Sequence, residues 1–191
     1  MTRCSWVPLN KKIYVDYHDF EWGVPVKDDT KLFEFLSLEL SQAGLSWYTI
    51  LLKRSFYRNA FKGFDIDYVS TLTFDDLDYI IQNYDVVKNK KKLSAIVQNG
   101  KVYKKIIEEK GSFYQYILEF LPNKRPLINS WSDLSEVPKF TGFSKKISLD
   151  LKKRGMFFVG PTIIYSFLQA TGFVNDHLVD CFRYTELKNL L

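Results

Sequence analysis

Leu151-Lys152-Lys153-Arg154-Gly155-Met156-Phe157-Phe158-Val159-Gly160-Pro161 interrupts two stretches of helical patterning near the end of the chain. Two glycines bound a short apolar turn, and three consecutive basic residues precede it. Pro161 suits the first turn of the helix that follows, because its missing N–H is one no helix start can satisfy internally. Such a turn leaves backbone N–H groups unpaired at a helix start, where a phosphate can bind. Lys152, Lys153 and Arg154 add attraction to a nucleic-acid backbone without reading sequence. The same pattern also fits a plain corner between two helices.

Working outward, a period of 3.6 dominates and no alternating strand stands out. Helices are expected from Asp28-Asp29 to about Leu40, from Ser46 to Gly63, over Asp65 to Leu72, and over Phe74 to Gln82 entered through Thr73 and Asp76. Further helices are expected over Lys90 to Glu109, despite Gly100, and over Ser112 to Phe120. Pro122, Pro126 and Pro138 make 122–142 mostly loop. Helical pattern returns from Ser144 to Gly155 and again after Pro161. The fold class is all-α.

At 191 residues and 46% hydrophobic, the chain is long and apolar enough for one globular core. Aromatic residues reach 17% and the net charge is +5, which allows a polyanionic partner without requiring one. No run approaches the ~18 apolar residues of a membrane span, and no secretory signal is visible at Met1 to Trp6. Two cysteines far apart in such a chain fit reduced thiols, so a cytosolic protein is expected.

Those cysteines and the two histidines are the only ones in the sequence: Cys4 and His18 near one end, His177 and Cys181 near the other. Two thiolates and two imidazoles are the donors of a closed tetrahedral zinc site, and His177 and Cys181, spaced i, i+4, would share a helix face. The alternative is four unrelated residues. Glu39 falls on the apolar stripe of Leu32, Phe35, Leu36 and Leu40, while Glu34, Ser37 and Ser41 face away. A carboxylate on that stripe needs a partner. It either reads a ligand in an apolar pocket, caps backbone amides of the next helix, or meets an arginine. Trp6, Tyr14, Tyr17 and Trp22 cluster around Cys4 and His18 in sequence, and aromatic faces with a carboxylate suit a flat cationic ligand.

Taken together, Arg3-Cys4-Ser5-Trp6, Tyr17-His18-Asp19-Phe20-Glu21-Trp22-Gly23, Leu38-Glu39, Gln42-Ala43-Gly44-Leu45-Ser46-Trp47 and the region from Lys152 to Cys181 resemble the DNA-3-methyladenine glycosylase I family. Within the last region Phe158-Val159-Gly160, Tyr165-Ser166-Phe167 and Asn175-Asp176-His177 are close matches. The resemblance implies a helix-hairpin-helix glycosylase-like fold formed by one unit over 1–191. Its parts would be a helical body over 28–145, the hairpin unit over 144–172, and terminal segments 1–24 and 173–191 joined by a structural Zn2+ at Cys4, His18, His177 and Cys181. It also implies a base pocket in which Glu39 and Tyr17 are polar readers and Trp6, Tyr14, Trp22 and Trp47 are walls, with Glu39 the catalytic candidate. Gly44 and Leu45 would fill the gap left in the duplex, and Lys153, Arg154, Gly155, Phe158 and Gly160 would meet the DNA backbone.

The implied reaction removes 3-methyladenine from alkylated double-stranded DNA and releases free base; a monomer is expected from the lack of an obvious association surface in the sequence. Two positions depart from the family pattern: Leu40, where a small residue is expected, and Phe157, where relatives often carry Lys. Asp176 is read as local support for the His177 end, not as a catalytic base. A non-catalytic lesion binder and a zinc module for protein contacts are the competing readings.

Overall fold

A computed structural model describes residues 1–190. Among the described residues ten α-helices carry the architecture: α1 (Lys12–Phe20), α2 (Asp29–Gln42), α3 (Trp47–Ala60), α4 (Ile66–Thr71), α5 (Phe74–Asn83), α6 (Lys90–Lys110), α7 (Phe113–Leu118), α8 (Gly142–Lys153), α9 (Pro161–Ala170) and α10 (Phe182–Lys188). The helix starts follow the capping chemistry in the sequence. Asp28 accepts from the Lys31 amide to open α2, Ser46 from Thr49 to open α3, and Thr73 with Asp76 forms a reciprocal capping box for α5. None of these helices is long and apolar enough to cross a membrane.

Two helices escape sequence reading. Both α1 and α10 lack a side-chain cap, so no start signal marks them. The all-α expectation also misses one small feature: Leu127–Ile128 pairs in parallel with Val174–Asn175, which staples the 122–142 connection to the segment carrying His177. A pair of two-residue strands is too short to leave an alternating pattern.

The central element is α2, which packs against α3, α6, α7 and α9. Every residue from Leu32 to Ser41 is buried. The expectation that Glu34, Ser37 and Ser41 face away from the core is therefore corrected, because neighbours surround the helix on all sides. Ser41 returns its hydroxyl to the Ser37 carbonyl at 2.7 Å, and Glu34 is met by cations. Leu40, the first departure from the family pattern, is a fully buried core residue.

Gly100 has a packing reason to interrupt α6. A Cβ there would stand 3.4 Å from both the Phe33 ring and Val69, where α4 and α6 approach closely. Gly172 closes α9 at φ +74°, and a Cβ there would lie 2.6 Å from the Pro25 nitrogen. That contact brings the chain after α1 against the end of α9 and sets the two termini side by side.

Candidate functional site

α1 places Tyr14, Tyr17 and His18 three and four residues apart, so they share one face. His18 turns into a buried cluster with Cys4, His177 and Cys181, whose donor atoms all lie within 4.8 Å of one another. Cys4 Sγ is 3.5 Å from His177 Nδ1, and Cys181 Sγ is 3.4 Å from His18 Nε2 and 3.5 Å from His177 Nδ1. Tetrahedral zinc with bonds of about 2.3 Å to sulfur and about 2.0 Å to nitrogen would set such edges near roughly 3.6 Å. The donor set and its spacing fit the metal.

The surroundings of the cluster fix the ring orientations. Asp19 Oδ1 can only accept, so His18 Nδ1 carries the proton at 2.8 Å and Nε2 is left for the cluster. Trp22 O accepts from His177 Nε2 at 3.1 Å, which leaves Nδ1 in the same way. Arg3 holds Asp19 through both carboxylate oxygens, at 2.8 and 2.7 Å, and keeps its carboxyl below the ordinary range. Cys4 and Cys181 share a proton: the hydrogen bonds from Cys4, His177 and His18 draw the Cys181 thiol down against its burial, while the same contact holds Cys4 protonated. The expected i, i+4 helical spacing of His177 and Cys181 is corrected. They lie on the irregular turn before α10, where Cys181 immediately precedes that helix and its amide donates to the Leu178 carbonyl at 2.9 Å.

Aromatic contacts carry this junction into a neighbouring cavity of about 350 Å³. Trp6 packs edge-on to His18 at 5.2 Å and to Trp22 at 4.9 Å, and Trp22 meets His177 at 4.5 Å. Trp6 also touches Tyr14, and Tyr17 touches Trp47. All six residues expected in the pocket line the cavity: Trp6, Tyr14, Tyr17, Trp22, Glu39 and Trp47. Sequence reading missed Gln42, Thr162, Tyr165, Ser166, Gln169, Asp176 and the 134–139 loop, which complete the wall. For α9 a signal existed, since Thr162, Ser166 and Gln169 follow helical spacing from Pro161.

Glu39 is 5% exposed, and no described residue donates a hydrogen bond to it. Burial alone pushes its carboxyl up to about 8. Its charge in turn raises Tyr17 and Tyr14, after burial. The capping and arginine alternatives for Glu39 both fail. Arg54 and Arg58 on α3 instead pair with Glu34, one turn and a half earlier, at 2.6 and 2.8 Å.

The turn from Gly155 to Gly160 joins α8 to α9, which pack on each other. α6 grips it: Asn99 Nδ2 donates to the Phe157 carbonyl at 2.9 Å while Asn99 Oδ1 accepts from the Phe157 amide at 2.8 Å. Gln98 donates to the Gly155 carbonyl and Ser148 to that of Val159. Phe158 is held at φ +53° and Gly155 at +96°. The side chains of Phe157 and Phe158 are exposed. Lys153 is exposed without an ion pair to a described residue.

Arg154 is not similarly free, because Glu109 and Asp150 hold its guanidinium at 2.6 and 2.7 Å. Two lysines in the first turn of α6 are likewise engaged. Lys92 is buried and donates to the Ser41 and Ala43 carbonyls at the end of α2, and Lys90 pairs with Asp78. Gly44 and Leu45 lie in the turn between pocket residues Gln42 and Trp47, with Leu45 partly exposed.

The methyladenine glycosylase family model matches residues 6–184, nearly the whole chain. The chain belongs to this glycosylase family. Its relatives include a DNA-3-methyladenine glycosylase of Haemophilus influenzae, 46% identical over 180 residues that cover 94% of this chain and 96% of the relative. DNA-3-methyladenine glycosylase 1 of Escherichia coli is 42% identical over 184 residues, 96% of this chain and 97% of the relative. A 3-methyladenine DNA glycosylase I from Staphylococcus aureus, solved to explain its recognition of 3-methyladenine, superposes with a TM-score of 0.90 at 36% identity, covering 95% of this chain and 96% of that one. This glycosylase is thus mostly helical, like its structural neighbours.

Proposed function

We propose that this glycosylase hydrolyses the N-glycosidic bond of 3-methyladenine in alkylated duplex DNA, acting as a monomer on bacterial nucleoid DNA in the cytosol and leaving an abasic site. The observation that carries the reading is Glu39: a carboxyl with no protein partner, buried among aromatic rings in a cavity of base size. Methylation at N3 makes the base cationic, so it departs as a neutral molecule and needs no strong general acid. The flipped base enters among Trp6, Trp22 and Trp47, where stacking returns ~1–3 kcal/mol but accepts any base face. Glu39 supplies discrimination, favouring positive charge and accepting from donors on the adenine edge, with Tyr17 beside it.

The α8–turn–α9 unit would act as a helix-hairpin-helix that holds the phosphate backbone. Gly155, Phe158 and Gly160 offer backbone there and Lys153 offers charge, while Gly44 and Leu45 enter the duplex at the vacated position. Zinc at Cys4, His18, His177 and Cys181 would have no open coordination position, so its role is structural. It would hold the α1 face and Trp22 against the pocket. Cys4→Ser is expected to lower thermal stability more than excision by the folded fraction, with metal analysis of the purified protein as the companion measurement.

The test of the whole reading is incubation with methylated duplex DNA followed by chromatography of released bases. Tight binding without release would instead support a lesion sensor. DNA affinity that does not fall with salt would count against a nucleic-acid partner altogether.

A further inference from the structure

The cavity contains a second carboxylate that the chemistry above does not use. Asp176 is 2% exposed and sits between the parallel strand pair and α9. Its Oδ1 accepts from Asn129 Nδ2 and Trp131 Nε1, each at 2.7 Å, and its Oδ2 accepts from the Tyr165 hydroxyl at 2.5 Å and Gln169 Nε2 at 2.7 Å. A carboxylate has about four acceptor positions, and four donors fill them. Asp176 therefore has no lone pair left for a water or a base.

What it does instead is orient Gln169. The amide nitrogen of Gln169 is pinned on Asp176, so a flip would set Oε1 against a carboxylate oxygen, acceptor against acceptor. Gln169 lines the cavity, and its Oε1 accepts from no described residue. Gln169 and Glu39 line the same cavity, and with one N–H of Nε2 committed to Asp176 the amide is held in one orientation that leaves its Oε1 without a donor among the described residues. Adenine carries an amino group at C6, whereas guanine carries a carbonyl oxygen there.

We propose that Gln169 is a specificity-determining residue and Asp176 its positioning residue: the pair locks an acceptor into the cavity that accommodates the 6-amino group of 3-methyladenine and repels the 6-oxo group of 3-methylguanine. An unlocked glutamine would rotate and donate to that oxygen, and discrimination would fall. This inference rests on the cavity being the base site.

The experiment measures release of both methylated bases from the same methylated duplex DNA by wild type, Gln169→Leu and Asp176→Asn, with metal content and melting temperature recorded for each. Failure of the wild type to release 3-methyladenine would overturn the excision reading itself. With excision intact, Gln169→Leu is expected to lower the ratio of 3-methyladenine to 3-methylguanine release by about ten- to a hundredfold, the range of one unpaired buried polar group. Folded Asp176→Asn should lower the same ratio chiefly by raising 3-methylguanine release, since its glutamine is free to turn. A purely structural role would slow both releases together, and an unchanged ratio in Gln169→Leu overturns the proposal even if Asp176→Asn does not fold. An unchanged ratio in folded Asp176→Asn overturns the lock.

Discussion

Glu34 and Glu39 stand five residues apart on one helix, buried to almost the same degree, and their surroundings give them opposite properties. Burial pushes both carboxyls up. Around Glu34, Arg54 leads Lys31 and Arg58 in overruling that effect and holds the group below the ordinary carboxylate range. Arg54 also reaches Glu21 at 2.8 Å, so the cluster ties α2, α3 and the segment after α1 together. Glu39 lies among rings with no ion pair to a described residue, and burial pushes its carboxyl up to about 8. The paired acid ties helices together, and the unpaired one is kept largely neutral by burial, available to ionise if a cationic partner enters the cavity. Burial of a charge is therefore not informative by itself; the partner set decides what it is for.

The largest expected effect comes from removing the unpaired charge. Glu39→Gln should lower excision of 3-methyladenine by on the order of a hundredfold, as for other preorganised electrostatic groups, while the fold persists. An ionisation moved from 4.5 to about 8 corresponds to on the order of 5 kcal/mol lost once the group is forced to ionise. The sign follows from the raised folded value: the favourable contribution is complete below pH 4.5 and disappears as pH rises through 8. Glu39→Gln should consequently be more stable than wild type at pH 9 and nearly equal at pH 4.5, as denaturant melts at both pH values would read. Equal stability at pH 9 would mean that Glu39 has a partner after all.

Glu34→Ala should do the reverse. Leaving Arg54 buried without its acceptor is expected to cost about 3–5 kcal/mol at pH 7, with excision per folded molecule largely retained. Because the folded value is lowered, that cost should shrink as pH falls through it. Should Glu34→Ala abolish excision while leaving stability intact, the division between the two acids would be wrong.

A smaller effect is expected in the pH profile of the wild type. If the base is bound by the carboxylate form, the excision rate at subsaturating DNA should rise with pH toward about 8 and level off above it, by no more than the roughly hundredfold that Glu39→Gln removes. The rise should vanish in Glu39→Gln and survive in a folded Glu34 variant. Smallest of all is Tyr17→Phe. Tyr17 is fully buried beside Glu39, and loss of its hydroxyl should reduce excision by roughly three- to tenfold with little change in melting temperature.

Much of this was readable along the chain. Asp28, Ser46 and the Thr73–Asp76 box announce helices because capping is a local exchange of hydrogen bonds within three residues. Gly155 to Pro161 announces a turn for a similarly local reason. Helix α1 was not announced, since Lys11 gives it no cap, yet it is the element that links the Cys/His cluster to the pocket. Gln169 stands out by no local pattern, and Asp176 reads along the chain only as support for the His177 end, because their mutual hydrogen bond exists only when α9 and the last strand are side by side.

The sequence by itself determined the helices with good caps, the inventory of two cysteines and two histidines, and the oddity of Glu39 among apolar neighbours. Tertiary structure alone decided that Arg54 and Arg58 go to Glu34 and none to Glu39, that Lys92 is buried at the end of α2, and that Arg154 is held by Glu109. Periodicity reports which face a residue occupies on its own helix. Ion pairing depends on which other helix lies opposite, across separations of 20 residues or more, and that information is created only when the chain packs.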